Sequence, residues 1–434
     1  MTPSARISAA IEVMTDIEAQ RRPAGDALKD WGLAHRFAGS GDRAGIAGLV
    51  YDALRRKSSA AFLMGEDTPR AILLGMCKLE RGMDADAIAR LASGDRFAPE
   101  PLTSQESEHL KSGSLADAPP YVAGDYPEWL DPHLARTFGD GRAEEGAALA
   151  RRATLDLRIN RIKADHNTVA SLKHLNAASG HWSPVGLRIE LSVNAKNPAI
   201  QSEPAFLKGE IEVQDEGSQV VALLSGAKPG EQVIDLCAGA GGKSLALAAQ
   251  MEKRGQIYAT DLDKRRLAPI YARLERAGAR NVQVRAPAVR HGDGPDALAD
   301  LADAADLVLI DAPCTGTGTW RRNPDAKWRM RPGALEQRNK EQAEVLDRAA
   351  SLTKPGGRIA YITCSVLTEE NDDRVLAFLA AHPEFEKTSP DFSVLGSKGE
   401  EFQRAVLATA AGILMTPKRT GTDGFYFSLL RRKS

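Results

Sequence analysis

The sequence predicts an α/β chain in which a doubly wound, mostly parallel sheet fills the second half. A small α+β module and an all-α N-terminal region precede it. Three observations carry this reading. From about residue 209, short apolar runs alternate with helical runs, as in a parallel sheet with helices on both faces. The first such run ends in a glycine-rich turn, Val233 to Ser244, "VIDLCAGAGGKS". Before about residue 93 the apolar residues instead recur at three-and-four spacing, the period of helices.

The elements follow in order. At 434 residues the chain is long enough for two or three domains of roughly 100–200 residues each. Residues 1–125 read as helices and a linker. "ISAAIEVMTDIEAQ", "RAGIAGLVYDALRRK" and "PRAILLGMCKLE" are amphipathic, with Cys77 as buried packing, and residues 94–125 are rich in Pro, Ser, Asp and Glu. Residues 126–208 read as the small module, with strands in "LDLRINRIK" and "VGLRIELS". Residues 209–434 supply the sheet strands "QVIDLCA", "QIYATDL", "NVQVRA", "DLVLIDAP" and "GRIAYITCS", with helices near 242–253, 264–279, 335–352 and 368–381. "AGILMTP" and "GFYFSLL" have no helix between them, so they predict a closing antiparallel hairpin.

Composition excludes some classes of function. The net charge of −1 gives no overall attraction for nucleic acid, so any basic surface is local. No run of 18 apolar residues predicts a membrane span, and the N-terminus lacks the apolar core of a signal peptide. The four cysteines, Cys77, Cys237, Cys314 and Cys364, form no C-x-x-C pair. Zinc is therefore not expected, and a reduced, cytoplasmic, metal-free monomer is the natural reading.

Three ligands compete for the glycine turn. A P-loop places glycine ahead of Gly242-Lys243-Ser244 with four residues between, and Cys237 stands there instead. A dinucleotide fingerprint needs a third glycine after Gly239 and Gly241, where Ser244 stands. The third ligand is S-adenosyl-L-methionine. It requires an acid at the strand end, Asp235, and another at the end of the next strand, Asp261. The cofactor set read from the sequence is Asp235, Cys237, Ala238, Gly239, Ala240, Gly241, Gly242, Lys243, Asp261 and Asp311, to which the family resemblance described below adds Asp293 as the acid that holds the adenine. Asp235, Asp261, Asp311 and Cys364 all fall at carboxyl ends of strands, and Cys314 lies just past one. Open α/β sheets bind ligands there.

"DAPCTGTGTWRRNPDAKW" and "TCS", together with "CAGAGGK" and "QDEGSQ", resemble the motifs of the RsmB/Nop/Sun family of RNA cytosine-C5 methyltransferases across the C-terminal half. The usual family pattern has proline at the position of Ala240. The resemblance implies a class I methyltransferase (Rossmann-like) sheet, S-adenosyl-L-methionine as cofactor and Cys364 as nucleophile. It also implies that Cys314 assists release. More weakly, "LRINRIK" looks like the family's RNA-binding module, which implies contacts from Arg158 and Asn160. The N-terminal helices resemble a NusB-like domain. Ribosomal RNA is the substrate this implies. Transfer RNA is the alternative, as is a non-catalytic role in ribosome assembly.

That chemistry accounts for two thiols and an acid. Addition of a thiolate to C6 of cytosine makes C5 nucleophilic towards a sulfonium methyl, and the thiol can leave again. Asp311 would serve the ring at N3 in a protonated or proton-sharing form, and Lys243 would help hold a thiolate. Just beyond, "WRRNPDAKWRMR" interleaves Trp320 and Trp328 with Arg321, Arg322 and Lys327. Such a loop predicts phosphate contacts and stacking on an unpaired or flipped cytosine.

Overall fold

The computed structural model describes residues 1–191, 198–287 and 296–434. The chain forms two compact units. Met1–Arg152 and Trp320–Arg331 make the first. Ala153–Leu191, Pro198–Thr319 and Pro332–Ser434 make the second.

The first unit is helical because its apolar stripes meet in one core. Ala10, Val13 and Met14 of helix Pro3–Gln20 pack with Ile46 and Val50 of helix Ser40–Arg55 and with Ile72, Leu73 and Met76 of helix Pro69–Leu79. The helix starts are coded locally. Thr2 and Thr68 accept backbone N–H groups of their first turns, each ahead of a proline. Cys77 is buried as expected, and burial pushes its thiol up to about 11. The stretch read as a linker holds a further helix, Ser104–Ser112. Its capping box, Thr103 with Glu106, and the buried Leu110 outweigh its polar composition. Residues 126–152 also belong to this unit and not to the small module: Tyr126 is buried at a bend, and Leu130, Leu134 and Leu149 are buried along its helical turns.

The basic stretch Trp320–Arg331 is built into this helical unit, and Trp320, Arg321, Lys327 and Trp328, expected to face RNA, are turned largely into it. Trp320 and Arg321 are buried. Trp328 is half-buried, and its indole N–H donates to the Leu54 oxygen at 2.7 Å. Lys327 is 1% exposed and donates to the backbone oxygens of Arg55 at 3.2 Å and Asp125 at 2.5 Å. Asp325 accepts the Ala24 N–H at 3.2 Å. Lys327 and Trp328 thus cap backbone carbonyls and Trp320 fills the core, so these side chains are turned to the protein interior. Arg322 is half-buried.

The second unit holds two sheets. The small one is antiparallel, ordered β2-β3-β1-β4, from β1 (Leu155–Ile159), β2 (Ala178–Ser179), β3 (Gly186–Ile189) and β4 (Ile211–Val213). Leu157, Leu187, Ile189 and Ile211 form its core. Arg158 and Asn160, expected to touch RNA, are instead buried. Asn160 donates to the oxygens of Gly209 (2.8 Å) and Ala277 (2.9 Å), and its own oxygen accepts the Ile162 N–H (3.1 Å). Arg158 donates to Gln214 at 2.6 Å, and burial pulls its guanidinium down to about 10.

The large sheet contains β5 (Gln232–Asp235), β6 (Gln256–Ala259), β7 (Val282–Val284), β8 (Ala305–Asp311), β9 (Thr353–Thr363), β10 (Phe385–Thr388), β11 (Leu407–Ala408), β12 (Ile413–Met415) and β13 (Phe425–Arg432). Its order is β11-β12-β13-β9-β8-β5-β6-β7, with β10 against β13. Strands β5 to β9 pair in parallel, whereas β13 is antiparallel to both β9 and β12. The expected doubly wound sheet with a C-terminal antiparallel hairpin is therefore present, with β10 and β11 in addition, although a short helix, Pro417–Thr420, lies between β12 and β13 where none was expected. Val233, Ile257, Leu307, Leu309, Ala360 and Ile362 carry its core. Among the described residues no helix is long and apolar enough to cross a membrane.

Burial pulls the Lys327 ammonium down to about 7, below the ordinary lysine value of ~10.4. Between these values the unfolded chain binds the extra proton, so this residue makes stability rise with pH across that window and adds no slope below it. We expect the stability difference between wild type and Lys327→Met to grow between about pH 7 and 10 in denaturant titrations. Parallel curves would show that Lys327 is charged in both states.

Candidate active site

The site lies at the carboxyl ends of β5, β6, β8 and β9. Parallel pairing sets Asp235 level with Ala259 and with Leu309, and Asp311 level with Ile362. The residues just past these strand ends therefore share one rim.

After β5 the chain turns through the glycine loop into helix Gly242–Gln250. Gly241 adopts φ +82° at the helix start, and a Cβ there would meet Ile270 Cγ1 at 2.5 Å. The position requires glycine for both backbone conformation and space. The Ala240 oxygen accepts from Arg273 at 2.8 Å, and the Ala238 N–H donates to the Thr260 oxygen at 2.8 Å, so the loop is tied down on both sides.

Two acids frame the loop. Asp261 is buried, accepts the N–H groups of Gly239 (3.1 Å) and Asp263 (3.0 Å), and pairs with Arg266 at 3.1 Å. Asp235 is fully buried. The Ser244 hydroxyl donates to its Oδ2 at 2.6 Å, while Oδ1 has no partner. Burial above all, with the nearby charge of Asp311, pushes Asp235 up to about 7. An orphaned buried carboxylate oxygen beside a glycine cradle fits a ligand that brings a cation or a donor. Cys237 is half-buried, and burial and the surrounding acids push its thiol up, so it stays neutral. Asp293 lies outside the described residues.

Lys243 and Asp311 form an ion pair at 2.6 Å, and the Lys243 ammonium sits 5.3 Å from the centre of the Phe425 ring. Lys243 is thus engaged with Asp311, the acid expected to serve the ring at N3. Gly242 has open space around it.

The structure brings Cys314 and Cys364 together, Sγ to Sγ at 3.3 Å. Their loops are laced. The Thr317 and Ser365 hydroxyls meet at 3.0 Å, the Gly318 N–H donates to the Cys364 oxygen at 2.9 Å, and the Val366 N–H donates to Thr317 Oγ1 at 2.8 Å. Gly318 also packs on Gly424, whose oxygen a Cβ would approach to 2.2 Å. The hydrogen bond to Cys364, then burial, then the charges of Cys364 and Glu370 push the Cys314 thiol well above its ordinary range.

Sequence reasoning missed Glu370 and Gln342, both fully buried. Gln342 donates to the Pro313 oxygen (2.9 Å) and to Glu370 (3.1 Å), and Glu370 accepts the Thr315 N–H (2.8 Å). A signal existed. Gln342 is the polar residue on a helical stripe formed by Leu335, Leu346 and Ala349.

Residues 222–431 match the sequence family described as 16S rRNA methyltransferase RsmB/F. A Bacillus subtilis (strain 168) protein described as a probable ribosomal RNA small subunit methyltransferase B is 33% identical over 313 residues, 71% of this chain and 66% of that protein. The ribosomal RNA small subunit methyltransferase B of Cronobacter sakazakii is 31% identical over 72% of this chain and 68% of its own length. The chain thus spans about two thirds of the length of these curated relatives. The crystal structure of PH0851 superposes with a TM-score of 0.69 at 25% identity, covering 100% of this chain and 99% of that one.

The raised Asp235 carboxyl yields a prediction. Its neutral form is favoured in the folded state, so its contribution to stability is fully present below the ordinary aspartate range and is lost as pH rises through about 7. Relative to wild type, ligand-free Asp235→Asn is expected to gain stability from about pH 4 to 7 and to hold that gain above. A difference in melting temperature that is constant from pH 4 to 8 would contradict the assignment.

Proposed function

The chain belongs to the RsmB/F family of methyltransferases, and from that premise we propose that it methylates C5 of a cytosine in RNA, with ribosomal RNA as substrate. The observation that carries the reading is the pair of thiols 3.3 Å apart at adjacent strand ends, beside a glycine loop framed by two buried acids.

The residues present fit S-adenosyl-L-methionine. The orphaned oxygen of Asp235 would take a donor from its methionine part, and Asp261 at the end of the next strand would take ribose hydroxyls. When bound, the cofactor supplies an electrophilic methyl group. Asp235, Gly239, Gly241 and Asp261 hold and orient it. Displacement of Arg266 from Asp261 would accompany that contact.

Cys364 adds to C6 of the cytosine, and the C5=C6 pair becomes the nucleophile at C5. The Asp311–Lys243 pair would meet the charge that develops at N3: the ammonium would lend its proton there and take it back as C5=C6 is restored. Once Cys364 is bonded to carbon, its charge and its hydrogen bond no longer hold the proton on Cys314. Cys314 then releases that proton to water and becomes the base. It takes the C5 proton, the C5–H electrons restore C5=C6, and the C6–S bond breaks to return the Cys364 thiolate.

RNA contacts are assigned to the accessible cations of the 320–331 segment. Arg329 and Arg331 are exposed and Arg322 is half-buried. Their phosphate contacts would make binding salt-dependent, roughly one unit of slope per phosphate.

The test separates the thiols. Cys364→Ala should give neither product nor covalent RNA. Cys314→Ala should attack and transfer the methyl but fail to release, leaving a protein–RNA adduct that survives denaturing electrophoresis. The double variant should lose that adduct. A trapped species in Cys364→Ala alone would reverse the two roles, and a binding factor without chemistry would show no adduct in any variant.

A further inference from the structure

One buried carboxyl near the thiols has no part in the steps above. Glu370 is 0% exposed. One of its oxygens accepts the Thr315 N–H at 2.8 Å and a Gln342 amide hydrogen at 3.1 Å, and the other accepts the Thr315 hydroxyl. Gln342 spends its second amide hydrogen on the Pro313 oxygen, 2.9 Å away. Pro313 and Thr315 are the chain neighbours of Cys314. The Glu370 backbone oxygen accepts the Tyr361 hydroxyl at 2.7 Å, which fastens Glu370 to β9, the strand that leads into Cys364.

Burying a carboxylate costs several kcal/mol, and a well-packed apolar residue would often serve stability as well. Geometry supplies another reason for an acid here. Cys364 directly follows β9, so the sheet itself positions it. Cys314 lies three residues past the end of β8, on a turn without ladder hydrogen bonds. Something else must set its distance to the nucleophile.

We propose that Glu370 is the positioning residue of the second thiol: its carboxylate, with Gln342, clamps the Pro313–Thr315 turn to the β9 end and so holds Cys314 Sγ against Cys364 Sγ. The inference rests on the methyl-transfer reading above. Attack by Cys364 does not need the clamp, whereas release through Cys314 does. Loss of the clamp therefore separates the two halves of the reaction.

The experiment uses the full chain, S-adenosyl-L-methionine and unmethylated small-subunit ribosomal RNA transcribed in vitro. Product and denaturation-resistant adduct are both measured. Glu370→Ala should accumulate adduct as Cys314→Ala does, with turnover lowered by about 10²-fold, the scale of a lost proton-transfer group. Glu370→Gln keeps an oxygen for the Thr315 N–H, and the Thr315 hydroxyl can accept from its amide, so near-normal release is expected. Thr315→Val, which removes one of the clamp's contacts, should give an intermediate amount of adduct. It decides the matter if Glu370→Ala does not fold. Normal release in Glu370→Ala overturns the inference, and so does loss of activity without adduct while Cys314→Ala still traps RNA. Absence of adduct in Cys314→Ala would instead overturn the methyl-transfer reading itself.

Discussion

Parallel pairing of β8 with β9 is the constraint on which the site depends. With Asp311 level with Ile362, and the Ala312 N–H donating to the Ile362 oxygen at 2.8 Å, both strands end at one height. Cysteines 50 positions apart in the sequence then lie 3.3 Å apart. A slip of one residue would send each strand's side chains to the opposite face and separate the thiols. The hydrogen bonds between the Thr317 and Ser365 hydroxyls and from the Gly318 N–H to the Cys364 oxygen act on loops that this register has already brought together.

The rim concentrates buried ionisable groups, and they play different parts. Asp235 keeps an oxygen without a partner and a carboxyl raised to about 7. It is costly in the empty site and is relieved by a ligand that supplies a donor. Glu370 is likewise raised by burial, yet Ser365, Thr315 and Gln342 support its charge. The first residue is poised for a ligand and the second is committed to the protein. Perturbed carboxyls at strand ends are a common mark of functional sites, and only their partners distinguish these two roles.

In the helical unit, charge is used for construction. Lys327 caps two backbone oxygens, and Asp125, also pushed up by burial, accepts the Ser59 N–H at 2.9 Å and its hydroxyl at 2.8 Å. Arg55 donates to the Arg321 oxygen at 2.7 Å. The segment that looks most like an RNA loop in the sequence thus spends Lys327, Trp328 and Asp325 on joining helices. A long side chain with an apolar stem and a charged end suits this task as well as it suits phosphate binding.

Local chemistry determined much of the protein. The alternation of short apolar runs with helical runs produced the parallel sheet, because each run carries its own period. Strand-end placement of Asp235, Asp261, Asp311, Cys314 and Cys364 was legible for the same reason, and so was the closing hairpin of β12 and β13. Tertiary structure alone decided what each polar side chain faces. Lys327 read as a ligand of RNA from its residue type and Arg158 and Asn160 from a family resemblance, yet burial turned their donors inward. Gln342 left a trace as a polar residue on an apolar helical stripe, but what it and Glu370 hold was not legible, because their partners, Pro313 and Thr315, lie 29 and 55 positions away. Periodicity records which face of an element is apolar. Which polar groups meet across that face depends on how distant segments pack, and no local pattern carries that information.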